Sequence, residues 1–407
     1  MDQEVNFIKM RVLMGNPDIT DAPRVVIGRT QLVDALWRKL MSGSVRLLSE
    51  RRMGKTWALI LAQAKRPEWA VPFFMNVEDI NNVTEFVLKL NKGLHRDNLI
   101  PTTWLEKVQD WFRRSTQRLQ EKKIGSFEIP KLDPWSVLLE DTCRKFIDKS
   151  EGRQAVLMID ELPFFLDKII KSSGPGEAIK ILDTLRSLRQ SMPSLRMVFC
   201  GSLGLHIVLQ KLREADYAGR PVNDMLSFEV PPLDPKDAYY LCGCLLHGEG
   251  IHCSDIKAIA EATAQVSCGV PFFIQSIVSW MGSQNSREWN REDIMSVLNQ
   301  FFNTPEGHEI FSYYNDRLDV YYPHDIVDRA RAALDVLSRN KGGMHFDNLL
   351  NLVRHRPKTL MIDSEVFLDV MNILREDHYV INHNGQWSFK LEIVRQWWYE
   401  ARGRLAL

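Results

Sequence analysis

Apolar residues along the first 80 positions alternate between two periods. In GRTQLVDALWRKLMSG (28–43), Leu32, Ala35, Leu36, Trp37 and Leu40 recur at helical spacing. VRLLSE (45–50) is a short apolar strand that runs into RRMGKT, WALILAQAK follows as a helix, and VPFFMNV (71–77) reads as a second buried strand. Strand, loop, helix, strand is the repeating unit of an α/β sheet. A long helical stretch from about 83 to 121 places Trp104, Val108, Trp111, Phe112 and Leu119 on one side, with Arg113, Arg114, Arg118, Lys122 and Lys123 around its end. Such a helix either offers a basic face to a partner or packs its tryptophans on the core behind a solvated face.

A turn or hairpin is expected at 123–135 and a helix at 137–149. QAVLMIDE (154–161) then reads as a buried parallel strand whose carboxyl end carries two acids. It is expected to lie beside the 45–50 strand. A helix at 176–190 and a strand at 195–202 continue the alternation and predict a doubly wound parallel sheet with ligand at the carboxyl ends of its strands. From PLDPKDA (232–238) to about 302 the pattern is wholly helical, 303–328 reads as a linker, and 329–407 reads as three helices (about 330–338, 345–353 and 364–375), short strands around HYVINHNGQWSFK and a terminal helix. That last order is the pattern of a winged helix.

Composition narrows the function classes. A chain of 407 residues with 45% hydrophobic positions can bury a core in each of several domains, which excludes extensive disorder. Lys plus Arg (52) balance Asp plus Glu (52), which excludes a polybasic nucleic-acid carrier. No apolar run reaches the about 18 residues of a membrane span, and MDQEVNFIKMRVL lacks a basic segment followed by an apolar one, so a cytoplasmic protein is expected. Six cysteines (143, 200, 242, 244, 253 and 268) form no CxxC pair, and Cys242 and Cys244 lie in an apolar helical context as small buried thiols.

The chemistry gathers in Ser49-Glu50-Arg51-Arg52-Met53-Gly54-Lys55-Thr56, between a strand and a helix that opens with Trp57. Gly54 lets the backbone approach phosphate oxygens, the helix N-terminus and Lys55 offset their charge, and the Thr56 hydroxyl can ligate magnesium. The spacing is that of a phosphate loop whose first glycine is replaced by Ser49. At the end of the acidic strand, Asp160 is suited to hold Mg²⁺ through water and Glu161 to orient or deprotonate a water attacking a γ-phosphate. An acidic pair opening a helix has the alternative role of a solvated N-terminus.

GRTQLVDALW, SERRMGKTWAL, VLMIDELPFFL, VFCGSLGL, the AGR at 218–220, PLDPKDA and GVPFF, in this order, resemble the prokaryotic AAA+/STAND-related ATPases called archaeal-type ATPases, over roughly 24–285 and more loosely to the end. The resemblance implies a P-loop ATPase core (1–231), a helical lid (232–302), a linker (303–328) and a C-terminal winged helix (329–407). Family members carry Gly-Pro-Arg-Arg-x-Gly-Lys-Thr in the loop, where this chain has Ser49 and Glu50. An acidic Glu50 beside phosphate is unfavourable unless Arg51 or Arg52 offsets it. By the same resemblance Ser202 is a polar sensor of the γ-phosphate, Gly28 and Arg29 lie near the adenine, and Pro271 of the Gly269-Val270-Pro271 motif packs over the nucleotide. The resemblance also implies that Arg220 is placed to reach a neighbouring subunit's γ-phosphate. From the residues alone, Ser202 is equally a helix cap and Arg220 a surface arginine in a turn.

Charge decides how the C-terminal segment is read. Residues 331–407 hold 11 Lys plus Arg against 9 Asp plus Glu, and the third helix carries Asp363, Glu365 and Asp369 before Arg375, the wrong sign for a phosphate track. Arg354, His355, Arg356 and Lys358 precede it and are the residues placed to touch a DNA backbone. Trp387, Trp397 and Trp398 read as core. The expected activity is therefore an ATP- and ADP-binding, Mg²⁺-dependent, slowly hydrolysing regulatory ATPase, an oligomerising switch acting on an effector protein. The alternative is a DNA-loaded ATPase of the origin-recognition or transposition-regulator type.

Overall fold

The computed structural model describes residues 6–121, 134–201, 204–284, 287–356, 359 and 362–402; the expected hairpin at 123–135 falls almost wholly outside them. The chain divides into two compact units, Pro17–Val230 and a second one that combines Met1–Asn16 with Pro231–Leu407.

In the first unit the described elements are α1 (Ala22–Val25), α2 (Thr30–Ser42), β1 (Val45–Leu48), α3 (Lys55–Ala64), β2 (Ala70–Asn76), α4 (Val83–Arg96), α5 (Thr102–Glu121), α6 (Trp135–Lys149), β3 (Gln154–Asp160), α7 (Leu162–Ser173), α8 (Pro175–Ser191), β4 (Leu195–Phe199), α9 (Leu205–Glu214) and β5 (Leu226–Glu229). The five strands form one parallel sheet in the order β2-β3-β4-β1-β5. β3 is buried from Ala155 to Asp160, as a strand covered on both faces must be, and α3, α6 and α8 pack on β2, β3 and β4.

That order corrects one expectation. β3 is not the neighbour of β1: β4 lies between them, pairing Val198 with Val45 on one side and Met158 on the other. Sequence pattern fixes that a buried strand exists but carries no information about which strand it pairs with. The stretch 83–121 is likewise two helices. Asn98 takes φ 58, Leu99 N–H returns to the Leu94 carbonyl at 2.7 Å, and Pro101 precedes the next helix. Trp104 and Trp111 of α5 are buried, with Trp104 Nε1 donating to Asn91 Oδ1 of α4 (2.9 Å) and Thr142 Oγ1 of α6 (3.2 Å), while Arg113 and Arg114 stay exposed against Asp110. Helix α4 lies so close to β2 that a Cβ at Gly93 would meet Phe73 Cζ at 2.4 Å. Gly93→Ala is expected to lower stability by about 1–3 kcal/mol despite its higher helix propensity, read as a shift in the denaturant midpoint.

In the second unit come α10 (Pro235–Glu249), α11 (Ile256–Val266), α12 (Pro271–Ser283), α13 (Asp293–Phe302), α14 (Pro305–Tyr321), α15 (His324–Ser338), β6 (Met344–His345), α16 (Phe346–Arg354), α17 (Ser364–Glu376), β7 (Val380–His383), β8 (Gln386–Phe389) and α18 (Glu392–Ala401). The segment read as a linker, 303–328, is α14 and the start of α15. Its Phe311 is buried against Phe273, Phe302 and Trp397, so it is core rather than tether. Arg317 of α14 is buried against Asp377, which also accepts the Tyr322 hydroxyl at 2.5 Å. The three short strands pair antiparallel in the order β6-β8-β7.

Residues 7–13 run along α10. The His247 ring Nδ1 meets the Phe7 carbonyl (2.9 Å), Val12 N–H donates to Glu249 (2.7 Å) and Leu13 N–H to Gln275 (2.7 Å). A Cβ at Gly248 would sit 1.8 Å from the Met10 carbonyl oxygen, so only glycine admits this strap. Cys242 and Cys244 are buried, and burial pushes both thiols up, away from thiolate chemistry.

Candidate functional site

The site forms at the carboxyl ends of β1, β4 and β3, within the first unit. β1 ends at Leu48, and the loop that follows turns through Arg52 (φ 75) and Gly54 (φ 80) before α3 opens at Lys55. Two left-handed positions in such a short loop, one of them not glycine, stand on either side of Met53 at the N-terminus of a ten-residue helix. Met53 between them is fully buried.

Lys55 is buried, and its Nζ donates to the carbonyls of Ser49 (2.9 Å) and Glu50 (2.6 Å). Burial pushes its pKa down, against the opposing pull of Cys200, Glu161, Asp160 and Glu50. The Thr56 hydroxyl donates to Asp160 Oδ2 at 2.6 Å, so the end of β3 meets the start of α3 although β4 separates β3 from β1. The other Asp160 oxygen accepts the Glu161 N–H (3.0 Å). Glu161 adopts φ 60, a left-handed conformation rare for a non-glycine residue, and its carboxylate lies toward Gly201, whose added Cβ would be 3.5 Å from Oε2. Leu162 N–H donates to the Cys200 carbonyl (3.1 Å), which fixes the strained turn to the end of β4.

Lys55, Thr56, Asp160 and Glu161 are therefore gathered at one place. Thr56 and Asp160 offer a hydroxyl and a carboxylate, hard oxygen donors suited to Mg²⁺. Among the described residues no group of three or more His, Cys, Asp or Glu can hold a metal, so an ion here would complete its shell from phosphate and water. Arg29 lies under the same loop. It is buried, and its Nη2 donates to the Met53 carbonyl (2.7 Å), bracing the loop from beneath. Gly28 precedes it at φ 69. Arg51, Arg52 and Trp57 are half-buried on the loop and the first turn of α3. Ser49 is half-buried, and its hydroxyl donates to the Val230 carbonyl (2.8 Å). Arg220 is exposed between α9 and β5, Pro271 opens α12 in the other unit, and Ser202 lies outside the described residues.

Two neighbouring residues carry no distinctive signal in the sequence. Cys200 follows β4 directly and is buried, and burial and then the Asp160 charge push its thiol up well above its ordinary value, against the pull of Lys55. A polar residue type ending the strand before Gly201 was the available signal. Arg189 of α8 is buried and grips the segment after Arg220: Nε and Nη2 reach the Asp224 carboxylate, each at 2.9 Å, and Nη2 the Pro221 carbonyl at 2.6 Å. Nothing in the local pattern distinguished it from a surface arginine.

No protein-family model matches the chain, and no curated protein does. Among solved structures, the ORC2 protein of Aeropyrum pernix, determined with ADPNP and ADP, aligns with a TM-score of 0.47 at 10% identity over 98% of this chain and 97% of its own. A Walker-type ATPase of Pyrococcus abyssi aligns with a TM-score of 0.63 at 14% identity over 96% of this chain and 99% of its own. Together with the five-stranded parallel sheet and the loop between β1 and α3, that likeness gives this chain the α/β fold of the P-loop, AAA+-like ATPases.

Proposed function

We propose that the chain binds ATP and ADP with Mg²⁺, hydrolyses ATP slowly, and uses the bound nucleotide as a switch for self-association and for engaging an effector protein. The observation that carries this reading is the 2.6 Å contact between Thr56 and Asp160 beside the buried Lys55. The loop amides and Lys55 bind and orient the phosphates. Thr56 and Asp160 are the residues that would hold Mg²⁺, which when bound would supply charge to offset that of the phosphates. Glu161 sits one residue beyond Asp160 and takes the proton of the attacking water. Arg220 acts on the site of a second copy.

The segment from α15 to α18 is read as a winged helix that docks protein. Val366 and Leu368 are exposed on α17 with Glu365 and Asp369, an apolar and acidic face unsuited to phosphates. Arg354 and Arg356 are occupied in packing that turn, Arg354 Nε on the Ile362 carbonyl (3.0 Å) and Arg356 on Asp335 (3.1 Å). Among the described residues no helix is long and apolar enough to cross a membrane.

The test is a pair of variants. Lys55→Ala is expected to weaken binding of a fluorescent ATP analogue by about 100-fold or more, whereas Glu161→Gln keeps affinity and loses turnover by about 10²–10⁴. Parental hydrolysis in both variants would remove the site from this role. Duplex DNA is expected to leave turnover unchanged. Tight, strongly salt-dependent binding of duplex would favour the DNA-loaded alternative instead.

A further inference from the structure

The parallel sheet ends in two edge strands, β5 and β2, and their outward backbone groups meet different surroundings. At β5, Leu226 N–H donates to the Ser44 carbonyl (2.8 Å) and Val230 N–H to the Leu48 carbonyl (3.2 Å), so even-numbered residues serve β1 and Ser227 turns outward. The Ser227 carbonyl is taken by Lys39 Nζ, and its hydroxyl accepts from Arg46 Nε (3.1 Å). A lysine over an outward carbonyl guards an edge against pairing with another chain. At β2, Gln154 N–H donates to the Trp69 carbonyl (2.8 Å) and Val77 N–H to the Asp160 carbonyl (3.0 Å), so odd-numbered residues serve β3 while Pro72 and Phe74 direct their backbone away from the sheet. Pro72 offers only a carbonyl, and Phe74 offers a donor and an acceptor. Among the described residues no side chain or loop takes these groups.

Both residues line a recess of about 900 Å³, walled by Ile60 of α3, by Ile19 and Pro23 of the preceding segment and by Leu99 of the turn after α4. Phe73, between them, faces the other way, toward Gly93 of α4. Two arginines also line the recess. Arg96 pairs with Asp97 (2.9 Å), and Asp18, a further lining residue, holds the hydroxyl of its own Thr20 (2.7 Å). Exposed Arg66 makes no ion pair among the described residues, so the charge left over in the recess is one guanidinium. We infer that the β2 edge is a docking site for an extended segment of another protein, apolar at alternate residues and carrying a carboxylate, which adds to the sheet as a further strand. The segment's backbone takes the Phe74 N–H and the Pro72 and Phe74 carbonyls, its alternate side chains fill the apolar recess, and its carboxylate meets the Arg66 fork. Walls formed by α3 and by the turn after α4 admit a bare strand and keep out a second copy's edge, which carries the same flanking helices. The recess shares no residue with the loop at 49–56, so this surface does not depend on the nucleotide-binding reading.

Hydrogen exchange of the full-length protein tests this, with short synthetic peptides as probes in which Val or Ile alternates with Thr and a single Glu is moved through the positions. In the free protein the Phe74 amide is expected to exchange at least about tenfold faster than those of Phe73 and Met75, which face β3. The tightest Glu peptide is expected to slow exchange at Phe74 about tenfold and to bind about tenfold better than its Lys counterpart. Methylating its backbone amides one alternate set at a time is expected to abolish binding for the set that faces β2 and to spare it for the other. Arg66→Glu, at an exposed position, is expected to keep the melting temperature and to reverse the preference from Glu to Lys. Binding that leaves Phe74 unprotected, survives methylation of either set, or keeps its preference in Arg66→Glu overturns the proposal, as does a panel with no member that binds at millimolar concentration. Protection of Phe74 that rises with protein concentration in the absence of peptide also overturns it, and assigns the edge to a second copy.

Discussion

Arg220→Ala is expected to lower ATP turnover by about 10³-fold or more while leaving nucleotide affinity unchanged, and mixing it with Lys55→Ala is expected to restore activity. Neither protein turns over alone, because one lacks the charge that stabilises the γ-phosphate and the other lacks a usable site. In the mixture an intact site meets an intact arginine. The expectation draws on how the loop is anchored. Arg220 itself is exposed, yet the residues around it are clamped to α8: Arg189 grips Pro221 and Asp224, and the Tyr217 hydroxyl donates to Asp183 at 2.5 Å. Burial, reinforced by Asp183, pushes the Tyr217 hydroxyl up to about 12, so it remains a donor at neutral pH. The Tyr217 ring fills the space over Gly219, where a Cβ would meet it at 2.3 Å. A guanidinium on a fixed stem spends less conformational entropy when it binds. The measurement is turnover per subunit against protein concentration. Concentration-independent turnover with a fully active Arg220→Ala would rule out action on a second copy.

Asp377→Ala is expected to destabilise the second unit by about 3–5 kcal/mol, since it strands the buried Arg317 guanidinium between the rings of Tyr313 and Tyr379. Burial works against the Arg317 charge, and Asp377 together with the neighbouring tyrosines more than reverses that effect, holding its pKa above the ordinary value. The double variant Arg317→Met with Asp377→Leu is expected to recover most of the loss, because it removes both charges and keeps the volume. Equilibrium denaturation of the three proteins checks this, and a double variant as unstable as the single one would mean the pair is worth more than its desolvation cost.

How much of this was legible depends on the kind of information each feature carries. Lys55, Thr56, Asp160 and Glu161 were recoverable because their chemistry is written locally: a glycine loop after a strand, and acids at the end of a buried strand. Their convergence needed the sheet order, and the order was misread because pairing is a long-range property that an apolar run does not encode. The break at Asn98 was hidden for another reason. Both α4 and α5 bury an apolar side, Leu90 and Leu94 in one and Trp104 and Val108 in the other, so apolar residues recur across the break and only Pro101 marks it in the sequence. Arg29 illustrates the remaining limit. Its position beside Gly28 suggests a role toward the nucleotide, and only the structure shows that it is buried with a bond to the Met53 carbonyl, bracing the loop. The 303–328 segment was read as a linker because its apolar residues, Ile310, Phe311, Tyr314 and Leu318, are diluted by nine charged or amide neighbours, and a stripe of that width signals a helix only once its packing partners are known.

The strap of residues 7–13 on α10 has a consequence for the order in which the chain is made. Its partners, from Tyr239 to Gln275, lie more than two hundred residues downstream, so a growing chain emerges strap first and must leave it unmatched while the whole of Pro17–Val230 is synthesised. The five-stranded sheet can close on its own contacts in that interval, but α10 cannot receive the strap until residues 235–275 have been made. Closing a loop of that length costs only slightly more entropy than closing a short one, and most of it has already been condensed by the folded sheet. The strap can therefore dock only once residues 239–275 have been made.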